Sequence, residues 1–219
     1  MAPYSESVQD YLKCIWMLEC EGRVTTNGVA ARMGVSAASV TSMVKRLARL
    51  GFVEHEPYRG VTLTDAGSRM ALEVIRHHRL LELFLSQTLG VPWDQVHAEA
   101  DRLEHHLSDE VEARIDAALG HPTRDPHGDP IPTPQLELVA DHDRPLTDLE
   151  DGCTAVVTRV PDGDPELLRY LAELGVVPAE PVVLLARAPF DGPVTVEVGG
   201  RRHSLSPALA RRILVAGAA

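Results

Sequence analysis

Two groups of imidazoles and carboxylates stand at helical spacing in the middle of this chain, and such groups supply the nitrogen and oxygen donors that divalent ions take. Between Trp93 and Leu119, His97, Asp101, Glu104 and His105 fall at i, i+4, i+7 and i+8, so all four lie on one helical face. Taken alone, that stripe has a rival reading as a solvated acidic face with incidental histidines. In the preceding stretch RHHRLLELF, His78 and Glu82 make a second pair at i and i+4. Two helices joined by a short link, each carrying such a set, can share an ion.

The elements that must carry these groups follow from the apolar residues beside them. Trp93, Val96, Ala100, Leu103, Leu107, Val111 and Ile115 recur at steps of three and four, so Trp93 to Leu119 reads as one long helix. His78 and Glu82 lie beside a stripe of Val74, Ile75, Leu81 and Leu85. Charge concentrates in the same place. The chain of 219 residues carries a formal net charge of -11, and its first 73 residues are neutral. Residues 74–140 hold most of the excess acid and seven of the ten histidines, a field that a bound cation relieves.

A chain this long has room for two or three domains with real cores. Cys14, Cys20 and Cys153 form no CxxC pair and no even disulfide framework. There is no basic n-region followed by an apolar run, and no apolar stretch near the ~20 residues of a membrane span, so the expected location is the cytoplasm with no membrane partner.

Residues 5–21 read as a first helix, with Ser5 or Ser7 to cap it and Val8, Tyr11, Leu12, Ile15 and Trp16 as its apolar stripe; Asp10 lies just off that stripe. A short helix over 25–33, a turn at Gly34-Val35 and a helix capped by Ser36 and ended by Gly51 form a helix-turn-helix pattern. Phe52 to Glu54, a turn at Pro57 to Gly60 and Val61 to Leu63 add a wing, and Thr64 begins the next helix. The second helix of such a motif meets the major groove with its N-terminal residues, here Ser36, Ala38, Ser39, Thr41 and Ser42. Lys45, Arg46 and Arg49, with Arg59 in the wing, are suited to phosphates. The competing reading is that a small three-helix domain ends a helix with basic residues for its dipole. The wing accompanying the basic run favours double-stranded DNA.

From about Leu146 the texture changes to β runs, CTAVVTR, EPVVLLARA, PVTVEV and RRHSL, with one helix near 165–174; together they read as a small barrel. The expected fold is mostly α with small β elements, divided into a winged helix-turn-helix over 1–73, a helical domain carrying the candidate metal ligands over 74–140 and the β module over 146–219.

The blocks SESVQDYLKCIWMLECEG, VSAASVTSMVKRLARLGFVEHEPYRGVTLTDAG, HHRLLELFL, HAEADRLEHHLSDEVEARI and DPHGDPIP resemble, in this order, the diphtheria-toxin-repressor family of metal-dependent transcription regulators. The resemblance runs from about residue 5 to the C-terminus, and implies that 74–140 is a metal-binding and dimerisation domain and 146–219 an SH3-like, FeoA-type domain. It implies a primary metal site of Asp10, His78, Asp101, Glu104 and His105. The iron-responsive prototype has methionine and cysteine where Asp10 and Asp101 stand, whereas the manganese-responsive branch has carboxylates at both. Lys13 stands where one manganese subgroup has a further acidic ligand, against a two-ion cluster of that subgroup's kind. The resemblance also implies an ancillary site of Glu82, Asp125, His127 and Asp164, with His97 and Glu166 as further candidates. Rival roles exist: Asp125 and His127 lie in a Pro/Gly-rich connector where Asp serves turns, and Asp164 before Pro165 suits a helix N-cap.

The function so implied is a manganese-activated, homodimeric repressor that binds palindromic operator DNA and controls metal-uptake genes, with no catalytic activity. Leu80, Leu83, Phe84, Leu107 and Val111 supply apolar surface for the dimer. An iron(II)-responsive repressor differs only in metal choice. A metallohydrolase is the alternative of another class, and it would need an open metal position and a base in a cleft.

Overall fold

A computed structural model describes residues 4–56, 60–139 and 142–217. Helices α1 (Glu6–Glu21), α2 (Thr26–Met33) and α3 (Ala37–Arg49) and the hairpin β1 (Val53–Glu56), β2 (Gly60–Leu63) form the expected winged helix-turn-helix. Side-chain caps set its register. Thr25 accepts from the Gly28 amide and Ser36 from the Ser39 amide, so each helix starts where an oxygen-bearing side chain satisfies its first free amides. Gly34 closes α2 at φ 66°, a left-handed conformation that only glycine adopts freely. Val8, Leu12, Ile15, Val29, Val40, Val44 and Leu47 are buried together beneath the hairpin.

Thr64 caps α4 (Asp65–Leu89), which serves two cores at once. Ala71 and Met70, near its start, belong to the DNA-binding core, while Leu80, Leu81, Leu83 and Leu85 pack with Val96, Ala100, Leu107, Ile115 and Ile131. A rigid helix therefore runs from one unit into the other, and residue 73 falls inside it. Leu80, Leu83 and Leu107 lie in this chain's own core, so the surface they were expected to offer a second subunit is already used; Val111 stays exposed.

The long helix expected over Trp93 to Leu119 is broken. In its place stand α5 (Val96–Leu103), a turn of 3-10 helix over Glu104–His106 and α6 (Asp109–Ala118). Leu107 is extended, and Ser108 caps α6 by accepting from the Val111 amide, with Asp109, Glu110 and Glu112 in the first turn where the helix dipole favours them. The unbroken apolar period hid this cap.

The C-terminal part is an antiparallel sheet of six strands in the order β3 (Arg144–Pro145), β8 (Leu214–Gly217), β4 (Thr154–Arg159), β5 (Pro181–Arg187), β6 (Val194–Val198), β7 (Arg201–Leu205). Helices α7 (Pro165–Leu174) and α8 (Pro207–Arg212) accompany it. β3 and β7 lie at opposite ends of this order, so the sheet is open and the expected closed barrel is corrected. Alternating apolar residues announce a β module, but they do not say whether its edge strands meet. With the sheet domain included, the described chain is about half helical rather than mostly α.

The sheet domain docks on the connector that follows α6. The Val160 amide donates to the His127 carbonyl at 2.9 Å, Arg159 donates to Asp129, and Arg169 donates to Asp94. Gly128, at φ 93°, passes so close to β4 that a Cβ there would stand 1.9 Å from the Thr158 carbonyl oxygen. No other residue type fits that approach.

Candidate metal centre

The break after Leu103 turns Glu104 inward, to 2 % exposure, and its Oε2 meets His78 Nδ1 at 2.5 Å. Asp101 Oδ1, from the last turns of α5, is 3.3 Å from the same nitrogen. On the other side of Glu104, Oε1 is 3.5 Å from His105 Nε2, which lies 2.8 Å from Asp10 Oδ1. All five residues of the expected primary site therefore gather where α1, α4 and α5 meet. With His97 they form two adjoining triads, Asp10 with Glu104 and His105, and Asp101 with His78 and His97.

Neighbours orient these ligands. His105 Nδ1–H donates to Gln9 Oε1 at 2.7 Å, which leaves Nε2 facing Asp10. His77 Nδ1–H donates to the Glu104 carbonyl and its Nε2 meets Glu112 Oε2 at 3.0 Å, so α4 and α6 hold the 3-10 turn in place. Burial alone would lower His78, but the charge of Glu82, opposed by Lys13, and hydrogen bonds donated to Glu104 and Glu82 carry its pKa up to about 9. Asp101 is also buried enough to be raised, yet the charges of Lys13, His78 and His97 bring it below its usual value. The hydrogen bond that its Nε2–H donates to Asp10 raises His105.

Lys13 stands inside this cluster. Its Nζ lies 3.1 Å from His78 Nδ1, 3.1 Å from Asp101 Oδ1 and 2.7 Å from Glu104 Oε2. Burial would depress the ammonium, but Glu104 and Asp101 together raise its pKa.

A second cluster lies one turn further along α4, against the sheet domain. Glu82 is fully buried, and its Oε1 is 3.0 Å from His78 Nε2 and 2.9 Å from His97 Nδ1. His127 is also fully buried; its Nε2–H donates to the Trp93 carbonyl at 2.9 Å, and its Nδ1 lies 3.9 Å from Glu82 Oε1. That Nδ1, Glu82 Oε2 and Asp125 Oδ2 are buried without any hydrogen-bond partner. Such atoms cost free energy unless a ligand meets them. Asp125 Oδ1 shapes the connector by accepting from the His127 and Asp129 amides, so its turn role and its free second oxygen coexist. Burial and the charge of Glu82 push its carboxyl well above the usual carboxylate range. Glu82 itself is driven the other way despite burial, by the charge and hydrogen bond of His78.

The sheet domain's contribution is corrected here. Asp162, not Asp164, comes within reach of Glu82 and His127. Asp164 accepts from the Glu166 and Leu167 amides as the N-cap of α7, and Glu166 is exposed in that helix's first turn. The capping geometry visible in Asp164-Pro165 was the signal that Asp164 was already engaged. Gln9, Lys13 and Asp162 are the site residues that spacing did not single out as participants.

On the other unit, Ser36, Ala38, Ser39, Ser42, Lys45, Arg46 and Arg49 are exposed on α3 and Thr41 is half-buried. Ser36 and Ser39 hydroxyls are 2.8 Å apart and Thr41 donates to the Ala37 carbonyl, so these hydroxyls also serve the helix itself. Arg59 lies outside the described residues.

A winged helix-turn-helix joined by a shared helix to a cluster of hard metal ligands defines a metal-responsive DNA-binding protein. Family models agree in order along the chain: an iron dependent repressor N-terminal DNA binding domain over residues 4–61, an iron dependent repressor metal binding and dimerisation domain over 64–133, and a FeoA domain over 144–217. The iron-dependent repressor IdeR of Mycobacterium tuberculosis is 33 % identical, the match covering 92 % of this chain and 93 % of that protein. A manganese-dependent transcriptional repressor solved in complex with manganese is 43 % identical with a TM-score of 0.89, covering 96 % of this chain and all of that one. ScaR with bound Cd2+ is 32 % identical with a TM-score of 0.84, over 96 % of this chain and 99 % of that one. The chain belongs to the diphtheria-toxin-repressor family of metal-dependent transcriptional repressors. Members of that family are repressors and not enzymes, so the metallohydrolase alternative is set aside. No helix among the described residues is long and apolar enough to cross a membrane.

Proposed function

We propose that this repressor is activated by manganese at a primary centre of Asp10, His78, Asp101, Glu104 and His105, and that it acts as a homodimer on palindromic operator DNA controlling metal-uptake genes. The single observation that carries this reading is the donor set joining α1 to α4 and α5: three carboxylates and two imidazoles, with no cysteine in either triad. Manganese stands at the weak end of the divalent affinity order, so a site selects it by withholding the soft ligands that favour its competitors. The manganese in the solved relative supports the same choice.

An ion there would supply positive charge between α1 of the DNA-binding unit and the helices behind it. By holding Asp10 to His105 and Glu104, it favours one angle between the units, which is a population shift driven by differential affinity. Asp10→Ala is expected to abolish metal-dependent operator binding in a gel-shift assay; full metal dependence in that variant would sink the proposal. On α3, Arg46→Ala is expected to weaken operator binding and lower the salt slope by about one. Ser39→Ala is expected to change sequence preference instead.

Glu82, Asp125, His127 and Asp162 form the candidate ancillary centre, supported by the three unpartnered buried atoms. Iron(II) is the second reading, favoured by the iron-dependent repressor that is 33 % identical. Anaerobic titration of operator binding with manganese and ferrous ions decides between them: activation by ferrous ion at the lower free concentration would replace manganese with iron.

A further inference from the structure

The centre described above contains a cation of its own, because Lys13 projects from α1 into the ligand cluster rather than to solvent. Its side chain is 11 % exposed, and its Nζ meets Glu104 Oε2, Asp101 Oδ1 and His78 Nδ1 at 2.7, 3.1 and 3.1 Å. Two of its three donors meet the carboxylates of Glu104 and Asp101, and its charge lies against the His78 ring. Each of those partners also belongs to the proposed ligand set. We propose that Lys13 is a tethered cation that competes with the divalent ion for the primary centre and so sets how tightly the ion is held. The inference rests on the metal-responsive reading.

Competition follows from the geometry. An ion bound through Glu104, Asp101 and His78 needs the donor atoms that Lys13 engages, so binding must first part Nζ from them. A positive charge held within about 3 Å of those atoms also opposes a second positive charge by direct repulsion. The second cluster differs. Among the described residues, its cationic neighbours are His78, whose Nε2 is 3.0 Å from Glu82 Oε1, and Arg79, whose Nε is 3.8 Å from Asp125 Oδ2 and whose other nitrogens bond Pro130 and Asp129.

Lys13 also joins the same elements that an ion would join, α1 to α4 and to the end of α5. An ordinary surface ion pair would leave ion affinity unaffected by its removal. A tethered competitor does not. Removing it frees the ligands and tightens the ion, at a cost to the protein that has been stripped of metal.

The test uses full-length protein carrying Asp125→Asn, so that calorimetric titration with manganese reads the primary centre, with chelator-stripped protein as the starting point. Lys13→Met is expected to lower the manganese Kd at least tenfold. It should also melt lower than its parent when stripped and gain a larger increase in Tm on adding metal. Arg102→Gln, which removes a nearby exposed charge that pairs only with Glu99 among the bonds described, is expected to change Kd less than twofold. Unchanged or weaker binding in Lys13→Met, while Asp10→Ala still abolishes it, overturns the competition and leaves the metal reading standing. Equal tightening by Arg102→Gln overturns it too, in favour of overall charge. Failure of the parent to bind any manganese removes both.

Discussion

The two ligand clusters on α4 are separated by one helical turn and share His78, yet they are balanced in opposite ways. Around Glu104 every oriented donor meets a partner within the chain: Lys13, His78 and His105 surround the carboxylate, and Gln9 fixes the second imidazole. Around Glu82 three buried atoms meet none. The first cluster is therefore self-neutralised and open to exchange between an internal cation and an external one. The second leaves one oxygen each of Glu82 and Asp125, and the Nδ1 of His127, buried without a hydrogen-bond partner, and an added cation would meet them. That contrast suits the first to sensing and the second to fastening the sheet domain, through His127 and Asp162, onto the helical unit.

The comparison breaks most directly at the junction that builds the second cluster. Gly128→Ala places a Cβ against the Thr158 carbonyl at a backbone angle that alanine avoids, and is expected to cost about 2–4 kcal/mol. Denaturant unfolding should show that loss together with loss of one bound ion per chain. An unshifted midpoint would mean that the sheet domain docks some other way.

The next effects have opposite signs in stripped protein. Glu104→Gln removes the partner of Lys13 and His78 and is expected to destabilise by about 2–4 kcal/mol. Asp125→Asn keeps the Oδ1 contacts and removes a buried charge. Because the folded pKa of Asp125 is raised, its carboxyl loses folded stability as pH climbs from the usual carboxylate value through that raised one, so at neutral pH the amide is expected to be the more stable form. With manganese present Asp125→Asn should lose that advantage. Destabilisation by both variants in stripped protein would erase the distinction between the clusters.

The smallest effect sharpens the role of the shared residue. His78, at a pKa of about 9, is protonated at neutral pH, and an imidazolium cannot ligate. Ion binding is therefore expected to release about one proton at pH 7, and affinity should rise with pH until that group deprotonates in the stripped protein near pH 9. Calorimetry in buffers of different ionisation enthalpy measures the release; zero protons would place His78 outside the coordination sphere.

What could be read from the sequence was local. Thr25, Ser36 and Thr64 cap their helices because a hydroxyl three residues ahead of an amide satisfies it, whatever the rest of the chain does. The winged motif and the donor types at residues 10, 78, 101, 104 and 105 follow from spacing, chemistry and family resemblance, and those five residues do come together. The break at Glu104 was local too, signalled by Ser108 ahead of three acids, but the unbroken apolar period masked it. Tertiary structure alone decided the remainder. Lys13 meets its partners across separations of 65 to 91 residues, Asp162 displaces Asp164 because α7 takes the latter as its cap, and the open sheet ends in an edge strand, Arg144–Pro145, too short to show a period. Which buried oxygen lacks a partner is a property of packing between distant segments, and no stretch of residues contains it.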